Sequence, residues 1–236
     1  AAALPPGGGG LPPAWAETAV RTSSDVALPN LTIVSLSTER IRGAMEYGAG
    51  EPKPGTGLQP PPALTGWPNG YSLAIDLGRT DPKNALGLMV AGRIAFPPRS
   101  GAPTLAVSRD GQLRVGTWGT DFTGTAGLLA LKHGTPFVTD GRPADVTPLP
   151  DRAIPLALVG SLGSRLFIAT GIARPVEVQQ TLIRAGVKFA FALSASPARP
   201  IRATHPKPET LDLSSSHLFL RPLPAAPRAA VTAYKQ

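Results

Sequence analysis

The chain has 236 residues, with 28 prolines, 26 glycines, no cysteine and a formal net charge of +8. The absence of cysteine excludes disulfides, cysteine-ligated metal sites and thiol nucleophiles. The basic residues form no run and no patch interleaved with aromatic residues, so nucleic acid is not an expected partner, whereas an acidic glycan stays open as one.

Residues 1–28 are predicted to form an extended arm rich in proline and glycine, with four consecutive glycines at 7–10. Such a composition buries too little apolar surface to fold alone. The first three residues are alanines, the small residues that signal peptidase leaves behind, and no run of 18 apolar residues predicts a transmembrane segment. We therefore expect an exported, extracytoplasmic protein, periplasmic or secreted, whose signal peptide has been removed.

Residues 29–200 are predicted to form a compact, strand-rich domain. A Pro at the first helical turn, Glu177 near the positive helix end and Gly186 after it predict a helix over 175–186, and 128–131 predicts a shorter one. The expected fold class is α+β, with one or two mixed β-sheets, few helices and extended Pro-rich tails. Strands are predicted at 31–36, 71–77, 87–90, 93–96, 104–108, 112–117, 136–139, 157–159, 165–170 and 188–193.

The clearest local signal is a hairpin around Asp110-Gly111. The apolar run 104–108 meets this turn dipeptide, and the run 112–117 follows at once. Asp-Gly between two short apolar runs is a strong indication of a β-hairpin.

The C-terminal residues 201–236 contain prolines at 206, 208, 222, 224 and 227, and only 216–221 has a strand-like pattern. We therefore predict a Pro-rich, linker-like segment there. Both tails are expected to contact other protein subunits of an assembly, because extended segments of this composition need an outside template to become ordered.

Three glycine-marked motifs in fixed order resemble the phosphodiester glycosidase family. They are 74–79 (Ala-Ile-Asp-Leu-Gly-Arg), 87–93 (Gly-Leu-Met-Val-Ala-Gly-Arg) and 109–119, whose Asp-Gly-Gln-Leu-Arg-Val-Gly-Thr-Trp-Gly is similar to a hairpin of bacterial members. The strand 164–171 and the helix after it are also similar to the family's late elements. The resemblance covers roughly residues 30–221 and implies a phosphodiester-glycosidase-like domain, in a family whose enzymes cleave sugar phosphodiesters.

Both positions that carry the family's site depart from its pattern. Residues 193–196 are Leu-Ser-Ala-Ser where the family has Leu-Asp-Gly-Gly, and residues 76–79 are Asp-Leu-Gly-Arg where it has Asn-Gly-Gly-Phe. A scaffold that keeps its strands but loses its site residues is expected to be a pseudoenzyme, a structural or binding subunit. The alternative is a divergent glycosidase that acts on a sugar phosphodiester or a cell-surface glycan.

Asp76 and Ser194 are the weak catalytic candidates. Asp76 could act as a general base, or equally as a turn residue bonded to backbone. The resemblance places no second carboxylate at Ser194, and Asp81 and Asp121 are the available substitutes. Arg79 could bind a phosphate or sugar acid, although an ion pair with Asp76 is the preferred interpretation.

Two further residues are candidates for ligand binding. Trp118, between glycines, could stack on a sugar ring or pack a hairpin end against the core. His133 is predicted to lie in a solvated loop beside Lys132, with a weak case for binding. The three histidines are scattered, so neither a metal site nor a cofactor is expected.

Overall fold

The computed structural model describes residues 19–23, 31–55, 58–81, 87–144, 149–193, 201–204 and 208–223. This part of the chain is mostly antiparallel β-sheet with one short helix, α1 (Pro175–Arg184). The strands are β1 (Ala19–Ser23), β2 (Leu31–Ser37), β3 (Ile41–Glu46), β4 (Leu73–Asp76), β5 (Leu88–Val90), β6 (Arg93–Phe96), β7 (Pro103–Ser108), β8 (Leu113–Thr117), β9 (Leu128–His133), β10 (Thr135–Thr139), β11 (Arg142–Pro143), β12 (Ile154–Leu162), β13 (Arg165–Ala173), β14 (Phe189–Ala192), β15 (Ile201–Ala203) and β16 (His217–Pro222).

The strands form three sheets. A seven-stranded sheet has the order β1-β2-β13-β12-β14-β10-β11, a four-stranded sheet has the order β15-β4-β16-β3, and a five-stranded sheet has the order β6-β5-β9-β7-β8. In the described part of the chain every pairing between these named strands is antiparallel, so the expectation of one or two mixed sheets is wrong. The β7–β8 hairpin is confirmed, with Val107 opposite Leu113 and Gly111 at a φ of 82° in the turn.

The main core lies between the seven-stranded sheet and the two smaller sheets. Val159 and Ile168 from the large sheet share one buried cluster with Ile75 and Leu218 from the four-stranded sheet and Leu105 from the five-stranded sheet. Alternate residues of each strand point to opposite faces, which is why β3 alternates between buried and half-buried side chains. We call the other face of the four-stranded sheet, turned away from this core, its outer face.

The helix α1 covers the opposite face of the seven-stranded sheet and confirms the predicted helix. Val178 and Leu182 pack in one cluster with Phe167, and Ile183 is half-buried against it. Phe189, at the start of β14, is half-buried and does not belong to this cluster. Within the described ranges, no helix is long and apolar enough to cross a membrane.

Residues 128–131 are strand, which corrects the prediction of a second helix. They belong to β9, which pairs with β5 on one side and β7 on the other. A short apolar run buried on both faces has no diagnostic periodicity, so its two strand neighbours decide its conformation.

The linker-like interpretation of residues 201–236 is also corrected for the part that the structure describes. β15 and β16 both pair with β4, and β16 also pairs with β3, so β16 is an interior strand. Leu218 and Phe219 are completely buried. In the N-terminal arm, β1 pairs with β2 of the same chain. Residues 1–18, 24–30 and 224–236 lie outside the described residues.

Candidate functional site

Asp76 ends β4 and is buried at the start of the loop 76–79, which we call the motif loop. Its Oδ1 accepts a hydrogen bond of 2.8 Å from the backbone N–H of Gly78, two residues on. This is the bond of an Asx-turn, in which the carboxylate stabilises its own loop. Gly78 has a φ of 68°, a conformation that favours glycine and explains why this glycine is kept.

A buried ion pair fills the space behind this loop. Lys132, from β9 of the five-stranded sheet, places its Nζ 3.1 Å from Glu51 Oε1 and 2.7 Å from the carbonyl oxygen of Gly78. The two side chains are 4% and 0% exposed. The pair therefore joins the five-stranded sheet to the motif loop with no solvent between them.

Glu51 is held by further donors. Its Oε2 accepts from the backbone N–H of Thr80 at 2.7 Å, and its Oε1 accepts from the Ser216 hydroxyl at 2.5 Å. Burial raises the pKa of Glu51, but Lys132 and these hydrogen bonds outweigh it, so the pKa lies below its usual value. Burial lowers the pKa of Lys132, and the nearby Glu51 and Asp76 oppose that shift. The lowered pKa of Glu51 favours its carboxylate form, whereas burial leaves the pKa of Lys132 below its usual value in spite of the two neighbouring acids.

Three titratable side chains form a second feature, which we call the acid–histidine row. In the strand register His217 lies opposite Glu46 on one side and opposite Asp76 on the other. Directly opposed residues project from the same face of a sheet. The His217 ring stacks on Phe219 with centroids 5.8 Å apart, and Phe219 packs against Leu64 beyond the outer face. The row therefore lies on the outer face of the four-stranded sheet.

His217 is fully buried and its ring has one unsatisfied nitrogen. Nδ1 lies 2.9 Å from the carbonyl oxygen of Ser215, an acceptor, so Nδ1 carries the proton and Nε2 carries the lone pair. Nε2 has no hydrogen-bond partner among the described residues. Burial lowers the pKa of His217, and burial also raises the pKa of the half-buried Glu46.

The expected ion pair between Arg79 and Asp76 is absent from the described structure. Arg79 is exposed, while the Asp76 carboxylate is buried and bonded to Gly78. Lys132 supplies the positive charge near Asp76 instead. The loop therefore turns Arg79 toward solvent. The positive charge near Asp76 comes from Lys132, in the five-stranded sheet.

His133 is buried in β9 and does not lie in a solvated loop. Its Nε2 accepts from the backbone N–H of Arg99 at 3.0 Å, and its Nδ1 lies 2.9 Å from the Thr104 hydroxyl. Burial lowers its pKa to about 4. Because both ring nitrogens are used inside the protein, neither has capacity for a ligand in this conformation.

Trp118 is half-buried at the end of the β7–β8 hairpin. Its ring stacks on Phe122 at a centroid distance of 6.2 Å and meets His133 edge-on at 6.1 Å. Arg114 Cζ lies 5.0 Å from the centroid of Phe122. The packing matches the hairpin-end role, and ligand stacking by Trp118 stays a prediction.

The remaining predicted candidates do not join Asp76. Ser194 lies outside the described residues. Asp121 Oδ2 accepts from the backbone N–H of Thr117 at 2.6 Å, inside its own turn, and Asp81 is exposed. Among the described residues, no three or more His, Asp or Glu side chains are placed to hold a metal ion.

Sequence reasoning missed four residues of this region: Glu46, Glu51, Lys132 and His217. Of these, Lys132 is the one that the sequence could have indicated, because this charged residue directly follows the apolar run 128–131. The others come from separate parts of the chain, and their grouping depends on strand register.

Comparison with known proteins shows a likeness in fold but not in sequence. No family model matches the chain, and no curated protein sequence matches it either. Among solved structures, the chain is similar to the catalytic domain of zebrafish N-acetylglucosamine-1-phosphodiester alpha-N-acetylglucosaminidase, auto-inhibited by its pro-peptide. The TM-score is 0.50 at 14% identity, over 86% of this chain and 81% of that one. This is a distant fold relationship, carried by the β-sheet architecture.

Proposed function

We propose that this chain is a phosphodiester-glycosidase-like domain that serves as a non-catalytic structural or binding subunit of an extracytoplasmic assembly. The observation that carries the proposal is that the space around Asp76 is occupied by other side chains of the protein. The carboxylate is 5% exposed and bonded to Gly78, and the neighbouring space holds the Glu51–Lys132 pair. The Asp76 carboxylate therefore offers a substrate little accessible surface, and the nearby cation Lys132 is already paired with Glu51.

The acids near Asp76 are arranged poorly for glycoside hydrolysis. That reaction uses two carboxyl groups on either side of a space that holds the sugar. Glu51 has both oxygens engaged, by Lys132, Ser216 and the Thr80 amide. Glu46 and Asp76 are separated by the His217 strand position, so the imidazole lies where a sugar would need room.

The assembly role rests on the sequence. A net charge of +8, an N-terminal arm rich in proline and glycine and a Pro-rich C-terminal segment favour contacts with other chains or with an acidic glycan. On that basis we propose that the protein is exported to an extracytoplasmic location and contacts other protein subunits there.

A divergent glycosidase is the second candidate, and Glu46 is the observation that favours it. Burial raises the pKa of this half-buried carboxyl, which is the property of a general acid, and Asp76 shares its row. The fold likeness to a domain named for phosphodiester cleavage points the same way.

One assay separates the two candidates. The purified chain is incubated with an N-acetylglucosamine 1-phosphodiester, and the released sugar is measured for wild type, Asp76→Asn, Glu46→Gln and the control Asp121→Asn. We expect no release above the protein-free rate in any of them. Release that disappears in Asp76→Asn or Glu46→Gln but persists in Asp121→Asn, at equal melting temperature, would establish the enzyme and overturn the proposal.

A further inference from the structure

Two arginines face each other on the outer face of the four-stranded sheet. Arg221 of β16 lies directly opposite Arg42 of β3 in the strand register. Like charges at directly opposed positions destabilise a sheet, unless a group of opposite charge lies between them. The pair is at the other end of the outer face from the acid–histidine row.

The two guanidinium groups are held apart. Arg221 Cζ lies 5.9 Å from the ring centroid of Tyr71, on the β4 side. Arg42 turns back along its own strand, where its Nη1 donates to the carbonyl oxygen of Ile41 at 2.8 Å and more weakly to that of Glu39 at 3.5 Å. The two side chains therefore contact different parts of the sheet.

Arg221 keeps its donors available. It is exposed, and among the described residues it has no hydrogen-bond acceptor and no ion-pair partner. The cation–π contact with Tyr71 fixes the position of the Arg221 guanidinium. The N–H groups at the edge of the guanidinium plane remain able to donate to a ligand. The hydrogen bonds of the Arg42 guanidinium to described residues both come from Nη1.

One described acid interacts with the pair. The Ser108 hydroxyl, and to a smaller extent Arg42, hold the pKa of the exposed Asp110 carboxyl below its usual value. The Asp110 carboxylate accepts its hydrogen bond from the Ser108 hydroxyl, and among the described residues no ion pair joins Arg42 or Arg221 to a carboxylate.

We propose that Arg42 and Arg221 form a binding site for a tetrahedral oxyanion, a phosphate or sulfate group that is either free or carried by a sugar. Arginine presents its N–H groups in a fork that matches such oxygens, and two forks on rigid neighbouring strands can hold one group from two sides. The anion would also offset the repulsion between the arginines. The inference deepens the proposed binding role and rests on it.

Anion binding is measured by titration at constant ionic strength with sodium phosphate, glucose 6-phosphate and glucuronate, and followed through the NMR signals of the arginine Nε–H groups. The variants are Arg42→Gln, Arg221→Gln and the double variant. The control is Arg93→Gln, which removes the same charge from an exposed position of β6. We expect saturable phosphate binding that weakens about tenfold in each single variant and is unchanged in the control.

The probes also identify the source of the anion. Tighter binding of glucose 6-phosphate than of inorganic phosphate supports a sugar-borne group, and equal binding supports the free anion. Non-saturable shifts, equal weakening in Arg93→Gln, or a preference for glucuronate would overturn the proposal. Neither arginine belongs to the surroundings of Asp76, so anion titration and sugar release are separate measurements, and failure of this inference is distinguishable from failure of the proposed function.

Discussion

Lys132 Nζ lies 3.1 Å from Glu51 Oε1, in a region where both side chains are excluded from water. The two residues come from strand β9 and from the segment after β3, 81 positions apart in the chain. Their contact, with the bond from Lys132 to the Gly78 carbonyl oxygen, holds the motif loop against the five-stranded sheet. This arrangement makes the loop a fixed part of the core.

Replacing Lys132 by Met should lower the free energy of unfolding by about 3–5 kcal/mol, because it leaves Glu51 buried without its charge partner. The double variant Glu51→Gln with Lys132→Met should cost less than the sum of the single changes. Urea denaturation measures each value. The matched control is Arg174→Gln, which breaks the exposed pair with Glu177 and should cost under about 1 kcal/mol. If the double variant lost as much unfolding free energy as the two single variants together, Glu51 and Lys132 would not be coupled.

Stability should fall as the pH drops through the range set by His133. Its folded pKa of about 4 lies below the ordinary 6.5, so the unfolded chain binds the proton first. The contribution of His133 is complete above about pH 6.5 and is lost progressively as the pH falls toward about 4, a loss of about 3 kcal/mol. The lowered pKa of His217 acts in the same direction. Urea midpoints at a series of pH values measure the slope, and His133→Gln should reduce it. If stability depended on pH as steeply in His133→Gln as in the wild type, other groups and not His133 would cause the loss of stability.

Gly87→Ala should be clearly more destabilising than Gly92→Ala. Both glycines have positive φ, 49° and 74°, so both variants incur the left-handed cost of about 1–2 kcal/mol. A Cβ at Gly87 would lie 1.9 Å from His133 Cδ2, whereas a Cβ at Gly92 meets nothing within 4 Å. The overpacking at Gly87 should add about 1–3 kcal/mol. Thermal melting compares the two, and equal losses would contradict the packing of His133 against Gly87.

Leu182→Ala should cost about 2–5 kcal/mol, as expected for truncation of a buried leucine. Leu182 is 4% exposed and packs with Phe167, whereas Val176 on the same helix is 38% exposed. Val176→Ala is therefore the control and should change stability by less than about 0.5 kcal/mol. Similar values for the two variants in urea denaturation would contradict the docking of α1 on the seven-stranded sheet.

Ending the chain after residue 200 should prevent folding, while ending it after Leu223 should leave a folded domain. The first truncation removes β15 and β16, and with them Leu218 and Phe219 from the core. The second keeps every strand that the structure describes. Circular dichroism and a cooperative melt distinguish the two outcomes. A cooperative melt of the shorter chain would show that residues 201–223 are dispensable.

The sequence alone determines the elements whose signals are local. Asp110-Gly111 predicts its hairpin because the turn requires a residue with positive φ at Gly111. Pro175 and Gly186 bound the helix because their backbone preferences act within a single turn, and Gly186 indeed has a φ of 84°. The fold class is predicted only as a sheet-rich domain, and the family resemblance is supported only as a distant fold relationship.

The tertiary structure decides what depends on partners far away in the chain. Residues 128–131 are strand because β5 and β7 pair with them, and residues 217–222 are an interior strand because β3 and β4 do. The surroundings of Asp76 also depend on residues that are distant in the sequence. Arg79, three residues away, points to solvent, and Lys132 supplies the charge from another sheet. Sheet register sets these contacts, because it fixes which side chains share a face, and no local pattern records which strands will pair.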